Sequence, residues 1–174
     1  MIRLPAVRCG NLESMAVPTT TDYLQAIEHV PSGATLILVG VGWEDYEQLL
    51  SDLDLGGGYP GIRVTYDEGR LEIMSPSSAH EMYKDLILHL GKVIADELGC
   101  DLETRGSTTF KLKSLAKGAE PDTCFYVRHA ARMIGKHIID LSTDPPPDIV
   151  VEIDVSHESR TKLAIYARFR VPEV

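Results

Sequence analysis

An α/β or α+β fold, a single domain with a mixed β-sheet flanked by helices, is what this sequence predicts, and three observations predict it. From residue 62 onward the hydrophobic period changes segment by segment, giving a hairpin, a helix, three strands and a final helix. Neither an internal repeat nor a low-complexity linker divides the chain. Its 174 residues, 44% of them hydrophobic, suffice for one well-buried core and fall short of two.

Each element has its own signal. Residues 1–20 lack any clear period and contain Pro5, Gly10 and Pro18, so a loosely ordered leader is expected there. Residues 21–61 read as an N-terminal helical extension, with helices at 23–29 and 43–53 and a short strand at 35–41 between them. The second helix carries Trp43, Tyr46, Leu49, Leu50 and Leu53 on one stripe. The run Gly56-Gly57-Gly58-Tyr59-Pro60-Gly61 is a connecting loop without the Gly-Lys-Ser/Thr ending of a phosphate-binding loop.

Residues 62–174 read as the core of the domain. Strands at 62–66 and 70–74 close through Asp67-Glu68-Gly69 as a hairpin. A long helix at 79–98 follows, with Tyr83, Leu86, Ile87, Leu90, Ile94 and Leu98 along one stripe, Ser78 as its N-cap and Gly99 as its stop. Strands are expected at 102–112 and 123–127, with a short extra one at 136–141. Asp144-Pro145-Pro146-Pro147 then delivers the chain, rigid and extended, into a strand at 148–155, and a last helix spans 159–169.

Composition narrows the function. A formal charge of −9 argues against a protein that coats nucleic acid, but the deficit is confined to residues 1–100, with 6 Lys/Arg against 15 Asp/Glu. Residues 101–174 balance 11 against 11 and could meet phosphates with their cations. Cys9, Cys100 and Cys124 are widely spaced and form no Cys-x-x-Cys, so neither a disulfide framework nor a zinc site is encoded. No apolar run approaches the roughly 20 residues that span a bilayer, and no secretory signal opens the chain. A soluble, cytoplasmic protein is expected.

The chemistry concentrates at Asp122, behind Glu120-Pro121, and Glu152, inside Ile149-Val150-Val151-Glu152-Ile153. Each places a carboxylate where a strand would otherwise be apolar, and a buried acid needs a cation or a proton. Alternation puts Ile149, Val151, Ile153 and Val155 on an expected core face and Asp148, Val150, Glu152 and Asp154 on an acidic one. Were Asp122 on a neighbouring strand, the two acids could share one Mg²⁺ with several waters, an arrangement suited to hydrolysing a phosphodiester. Two blander readings stay open: Asp122 as a turn aspartate, and Glu152 as half of a buried ion pair.

Lys162 falls in the first turn of the last helix, where a cation opposes the dipole. It would neutralise charge on a phosphate under attack or orient the water, unless it is an exposed lysine reaching for solvent. Glu81 stands three residues after Ser78, so it either completes a capping box or brings a further acid to the site. His157, just past the acidic strand, is a further candidate. Position 84 is lysine, which removes a His-Glu-x-x-His zinc motif, and no Gly-x-Ser-x-Gly occurs. A two-carboxylate glycosidase ranks last, because no aromatic side chains line up to stack a sugar.

Four runs together carry a resemblance: Tyr66-Asp67-Glu68-Gly69-Arg70-Leu71-Glu72-Ile73-Met74-Ser75-Pro76 with His80-Glu81; Glu120-Pro121-Asp122-Thr123-Cys124-Phe125-Tyr126; Pro145 to Asp154; and Lys162-Leu163-Ala164-Ile165-Tyr166 with Val171-Pro172-Glu173-Val174. From about Trp43 to its end the chain resembles the Uma family of putative restriction endonucleases, within the PD-(D/E)XK nuclease superfamily. The resemblance implies a restriction-endonuclease-like core in which Asp122 and Glu152 bind Mg²⁺ or Mn²⁺, Lys162 assists, and Glu81 is an accessory helix acid. It also implies DNA as substrate.

Two departures accompany the resemblance. Asp154 occupies the position two residues after Glu152 where the nuclease pattern places lysine, so Lys162 would supply the amine from a displaced position. Family members continue past Val-Pro-Glu-Val into a further strand, so the core reads as lacking its last strand and as able to borrow one from a partner. A homodimer is expected. The alternative function is a nuclease-fold module that binds nucleic acid or protein without turnover.

Overall fold

The structure is a computed structural model that describes residues 20–56, 61–155 and 159–174. Most of the expected leader and of the glycine-rich loop lies outside them. Five helices, eight strands and one 3-10 turn are present among the described residues, an α+β architecture of antiparallel sheets flanked by helices.

Helix α1 (Thr20–Ile27), strand β1 (Thr35–Val39) and helix α2 (Trp43–Gly56) precede the hairpin of β2 (Arg63–Asp67) and β3 (Arg70–Met74). The hairpin closes on Glu68 and Gly69, both at positive φ (48° and 94°), the pairing that lets a two-residue turn match strand twist. β1 and β2 flank β3, and β6 (Lys117–Ala119) and β5 (Phe110–Leu112) extend the sheet to five strands in the order β1-β3-β2-β6-β5.

Helices α1 and α2 cover this sheet with Tyr23, Ile27, Trp43, Tyr46 and Leu49 against Val64, Tyr66, Leu71 and Ile73. Tyr46 stacks on Tyr66 at 4.8 Å, and Trp43 meets both rings edge-on. Gly118 sits where a Cβ would lie 2.1 Å from the Tyr46 hydroxyl, so the ring approaches β6 only because that side chain is absent.

The strand expected at 102–112 is broken, and the break matters. β4 (Glu103–Arg105) pairs with β7 (Thr123–Tyr126), and β5 pairs with β6, in a single register: Arg105 opposes Cys124 and Phe110 opposes Ala119. One long hairpin therefore crosses from the five-stranded sheet into a second sheet, β4-β7-β8, with its ladder interrupted at 106–109 and 120–122. Pro121 has no N–H to offer a ladder. The Thr109 hydroxyl bridges the gap instead, donating to Glu120 Oε1 at 2.6 Å.

Helix α3 (Ser78–Leu98) crosses the second sheet where Gly91 faces the Phe125 ring, and Gly99 ends it in the left-handed conformation (φ 62°). Its N-cap is Ser77, not Ser78: the Ser77 N–H and hydroxyl both approach Nδ1 of buried His80 (3.4 and 3.0 Å). That leaves Glu81 outside any capping box.

Residues 136–141 form no strand. The short helix α4 (Ala130–Met133) precedes them, and Asp144 gathers the segment by accepting from Asp140 N (2.9 Å) and pairing with Lys136 (2.5 Å). The expected strand at 148–155 shortens to β8 (Ile149–Val151), antiparallel to β7. A single parallel bridge, Ile149 to Glu173, lies on its other edge and is what makes this sheet mixed. Helix α5 (Arg160–Arg168) closes a second core of Phe110, Ala119, Cys124, Val150, Ile165, Tyr166 and Phe169.

The assignment of faces along β8 is reversed from expectation. Val150 is fully buried and Asp148 nearly so, while Val155 is exposed. At Asp148 and Glu152 the acidic face turns inward because its charges find donors there, while Asp154 stays exposed. Asp148 accepts from the backbone N–H groups of Val127 (2.8 Å) and Arg128 (2.9 Å), and Glu152 has the partners described below.

Candidate active site

Asp122 and Glu152 lie beside each other at the end of the β7–β8 ladder. The last ladder pair is Thr123 with Val151, and one step further the same register sets residue 122 opposite residue 152. Directly opposed residues of an antiparallel pair have Cβ atoms roughly 4.5–5.5 Å apart. Asp122, only 2% exposed, accepts a 2.7 Å hydrogen bond from Ile153 N through Oδ2, which fastens the two chain segments together where the ladder stops.

Glu152 receives two side chains of α5. Lys162 donates to Oε2 at 2.8 Å, and the Tyr166 hydroxyl donates to Oε1. Lys162 and Tyr166 are four residues apart, hence on one face of the helix. With 6% of its surface exposed, Lys162 is no solvent-seeking lysine; its ammonium also reaches the Glu120 carbonyl at 3.3 Å. Burial pushes the Glu152 carboxyl upward, the Lys162 charge and the Lys162 and Tyr166 hydrogen bonds pull it back, and the Asp122 charge adds to the upward push. The Tyr166 phenol is driven well up by burial and by Glu152.

Asp154 has a different task. Its Oδ1 accepts from the N–H (2.9 Å) and hydroxyl (2.6 Å) of Ser159, the residue before α5, so an acid anchors the positive end of that helix. An ammonium, that of Lys162, reaches Glu152 from one turn into the helix that Asp154 helps to start.

Arg63 joins the acids to an open cleft of about 590 Å³. Buried to 4% exposure, it donates to the Gly61 carbonyl (2.8 Å) and pairs with Glu81 (3.3 Å), and its Nε faces Asp122 Oδ1 across 4.0 Å. That Nε has no hydrogen-bond partner among the described residues. Glu81, also paired with Lys84, thus reaches the centre through Arg63. Glu120 walls the same cleft, its carboxylate held by Val64 N (3.1 Å) and Thr109 and its pKa raised by burial.

Of the residues singled out in the sequence, Asp122, Glu152 and Lys162 come together, Glu81 stands one arginine away, and His157 lies outside the described residues. Arg63, Glu120 and Tyr166 join them with no role assigned from the sequence. Glu120 was legible as the acid of Glu-Pro-Asp, and Tyr166 as the residue one turn past Lys162. Arg63 gave no signal, since an arginine in a short strand is usually exposed.

Among the described residues no three His, Cys, Asp or Glu side chains converge into a ready-made metal cage. The two adjacent carboxylates, an ammonium and a guanidinium can polarise an anionic ester and hold hard cations through oxygen. No helix among the described residues is long and apolar enough to cross a membrane. Curated proteins include no match to the chain. The profile of the Uma2 family, described as "Putative restriction endonuclease", matches residues 43–174, a span that takes in both acids, Lys162 and the whole β2–α5 scaffold holding them. The chain belongs to the Uma2 family.

Proposed function

We propose that the protein is a divalent-metal-dependent DNA endonuclease working in the cytoplasm, with Asp122 and Glu152 as metal ligands and Lys162 and Glu81 as assisting groups. The observation that supports this best is the meeting of Asp122, Glu152 and Lys162 where the β7–β8 ladder ends. The donor set suits Mg²⁺ or Mn²⁺, which need only one or two carboxylates beside water and substrate oxygens. The orphaned Arg63 Nε beside Asp122 leaves one buried donor for such an oxygen. When bound, the ion would supply an acidified water and positive charge at the scissile phosphate.

The protein's own groups have separable tasks. Lys162 neutralises charge that grows on the phosphate, and Arg63 lies between Glu81 and Asp122 and holds the two segments at the centre. Thr109 and Val64 N hold Glu120 so that its carbonyl stays in place to orient the Lys162 ammonium.

Incubated with Mg²⁺ or Mn²⁺, the protein is expected to nick or linearise supercoiled plasmid, and a chelator should stop it. Plasmid left intact in both metals at micromolar protein contradicts the reading. One observation favours the alternative of a binding module without turnover: both Glu152 oxygens already have donors. Plasmid retarded in a gel but uncut would select that alternative.

We further propose that two copies associate through α3, as cutting both strands would require. Met82, Leu86, Leu90, Ile94 and Leu98 form an i, i+4 row, each 45–72% exposed, with apolar side chains spaced evenly on both sides of Leu90. Two copies of such a row can meet antiparallel about a two-fold axis near Leu90, as an isologous contact does. Tyr83 and Val93 widen the exposed apolar face. Sedimentation is expected to give a dimer for the wild type and a monomer for Leu90→Glu; a wild-type monomer at tens of micromolar contradicts the proposal.

A further inference from the structure

We propose that Tyr166 is a positioning residue of the hydrolytic centre: its hydroxyl fixes the plane of the Glu152 carboxylate so that the free lone pairs face Asp122. This rests on the metal-dependent reading above and names a residue which that reading does not require.

The terminal torsion of a glutamate is broad and roughly two-fold, so one donor leaves the carboxylate free to turn. Here α5 supplies two donors a single turn apart, Lys162 to Oε2 and Tyr166 to Oε1. With both oxygens held from the helix side, rotation is arrested and the remaining lone pairs are directed away from α5, towards the strand that carries Asp122.

The two donors are not equivalent. Lys162 is a charge on a flexible stem, able to turn towards a phosphate. Tyr166 is wedged, with no exposed surface, among Phe110, Cys124, Val150 and Phe169. When Lys162 engages substrate, the tyrosine is the donor that stays on Oε1, while Oε2 keeps only the longer contact from the Ser159 hydroxyl (3.4 Å). Hydrogen-bond partners behind a metal ligand characteristically govern its affinity by about 10–100-fold.

The test uses the full chain and Mn²⁺ as probe. Tyr166→Phe keeps the packed ring and removes the donor; Tyr126→Phe is the control, an equally buried tyrosine whose hydroxyl meets the Pro145 carbonyl instead. By calorimetry Tyr166→Phe is expected to weaken Mn²⁺ binding about 10-fold or more, with Tyr126→Phe unchanged, and to lower kcat without changing KM for DNA. Equal Mn²⁺ affinity for Tyr166→Phe and wild type overturns the inference and leaves the metal site standing. A wild type that binds no Mn²⁺ overturns the metal site and this inference with it. A second measurement needs no variant: Mg²⁺ drawing on Glu152 should perturb the Tyr166 phenol, giving a tyrosine near-UV difference spectrum that is absent in Asp122→Asn. No such spectrum at saturating Mg²⁺ also overturns the inference.

Discussion

Lys162→Met is expected to destabilise the fold by about 3–5 kcal/mol, the usual result of removing one member of a buried ion pair. The methionine fills most of the space, so the loss is electrostatic rather than a cavity. Glu152 would keep Tyr166 and the longer contact from Ser159 and lose the Lys162 ammonium, and the Glu120 carbonyl would lose its donor. The deficit should also depend on pH. Burial already raises the folded-state pKa of Glu152 above its ordinary value, and without the lysine it rises further. A carboxyl with a raised folded pKa binds more protons folded than unfolded between the two values, so stability falls as pH rises through that window. Urea unfolding of the variant at pH 5 and pH 8 checks this. The larger deficit belongs at pH 8, and equal deficits, or none, would mean that the pair is not buried as described.

Asp122→Asn should do the opposite, removing function while sparing the fold. The asparagine carbonyl can still accept the hydrogen bond from Ile153 N, so the junction between β7 and β8 keeps its fastening. Losing the negative charge weakens the tie to Arg63 but relieves repulsion against Glu152, two effects of opposite sign. Stability is expected to stay within about 1 kcal/mol of wild type. Plasmid cleavage, by contrast, should fall by about 10²–10³-fold or more, the scale of losing a principal electrostatic contributor to the transition state. Alanine at this position is the poorer test, since it orphans Ile153 N and confounds folding with chemistry. Glu152→Ala suffers likewise, leaving the Lys162 charge unpaired.

The sequence made the scaffold legible where period and turn chemistry agree. The β2–β3 hairpin, α2, α3 and α5 stand close to their expected bounds, because Glu68-Gly69 closes the hairpin and Gly99 stops α3. What it concealed was tertiary. Residues 102–112 look like one strand because β4 and β5 share a register, yet the chain bends between sheets where Thr109 answers Glu120 rather than a ladder partner. The inward turn of the acidic face could not be read from alternation, which identifies two faces but not which one meets donors supplied by distant segments. Asp122, Glu152 and Lys162 were visible because carboxylates in an apolar strand and a cation in a first helical turn each break a local rule. Arg63 breaks none, and only its long-range approach to Glu81 and Asp122 makes it part of the centre.

The central claim is that Asp122 and Glu152 share one divalent ion, and Mn²⁺ titration of the wild type and Asp122→Asn, side by side in a calorimeter, tests it most directly. One site per chain in the wild type, lost in the variant with its melting temperature preserved, is the result predicted. No binding by the wild type, or the same binding by both proteins, would contradict it.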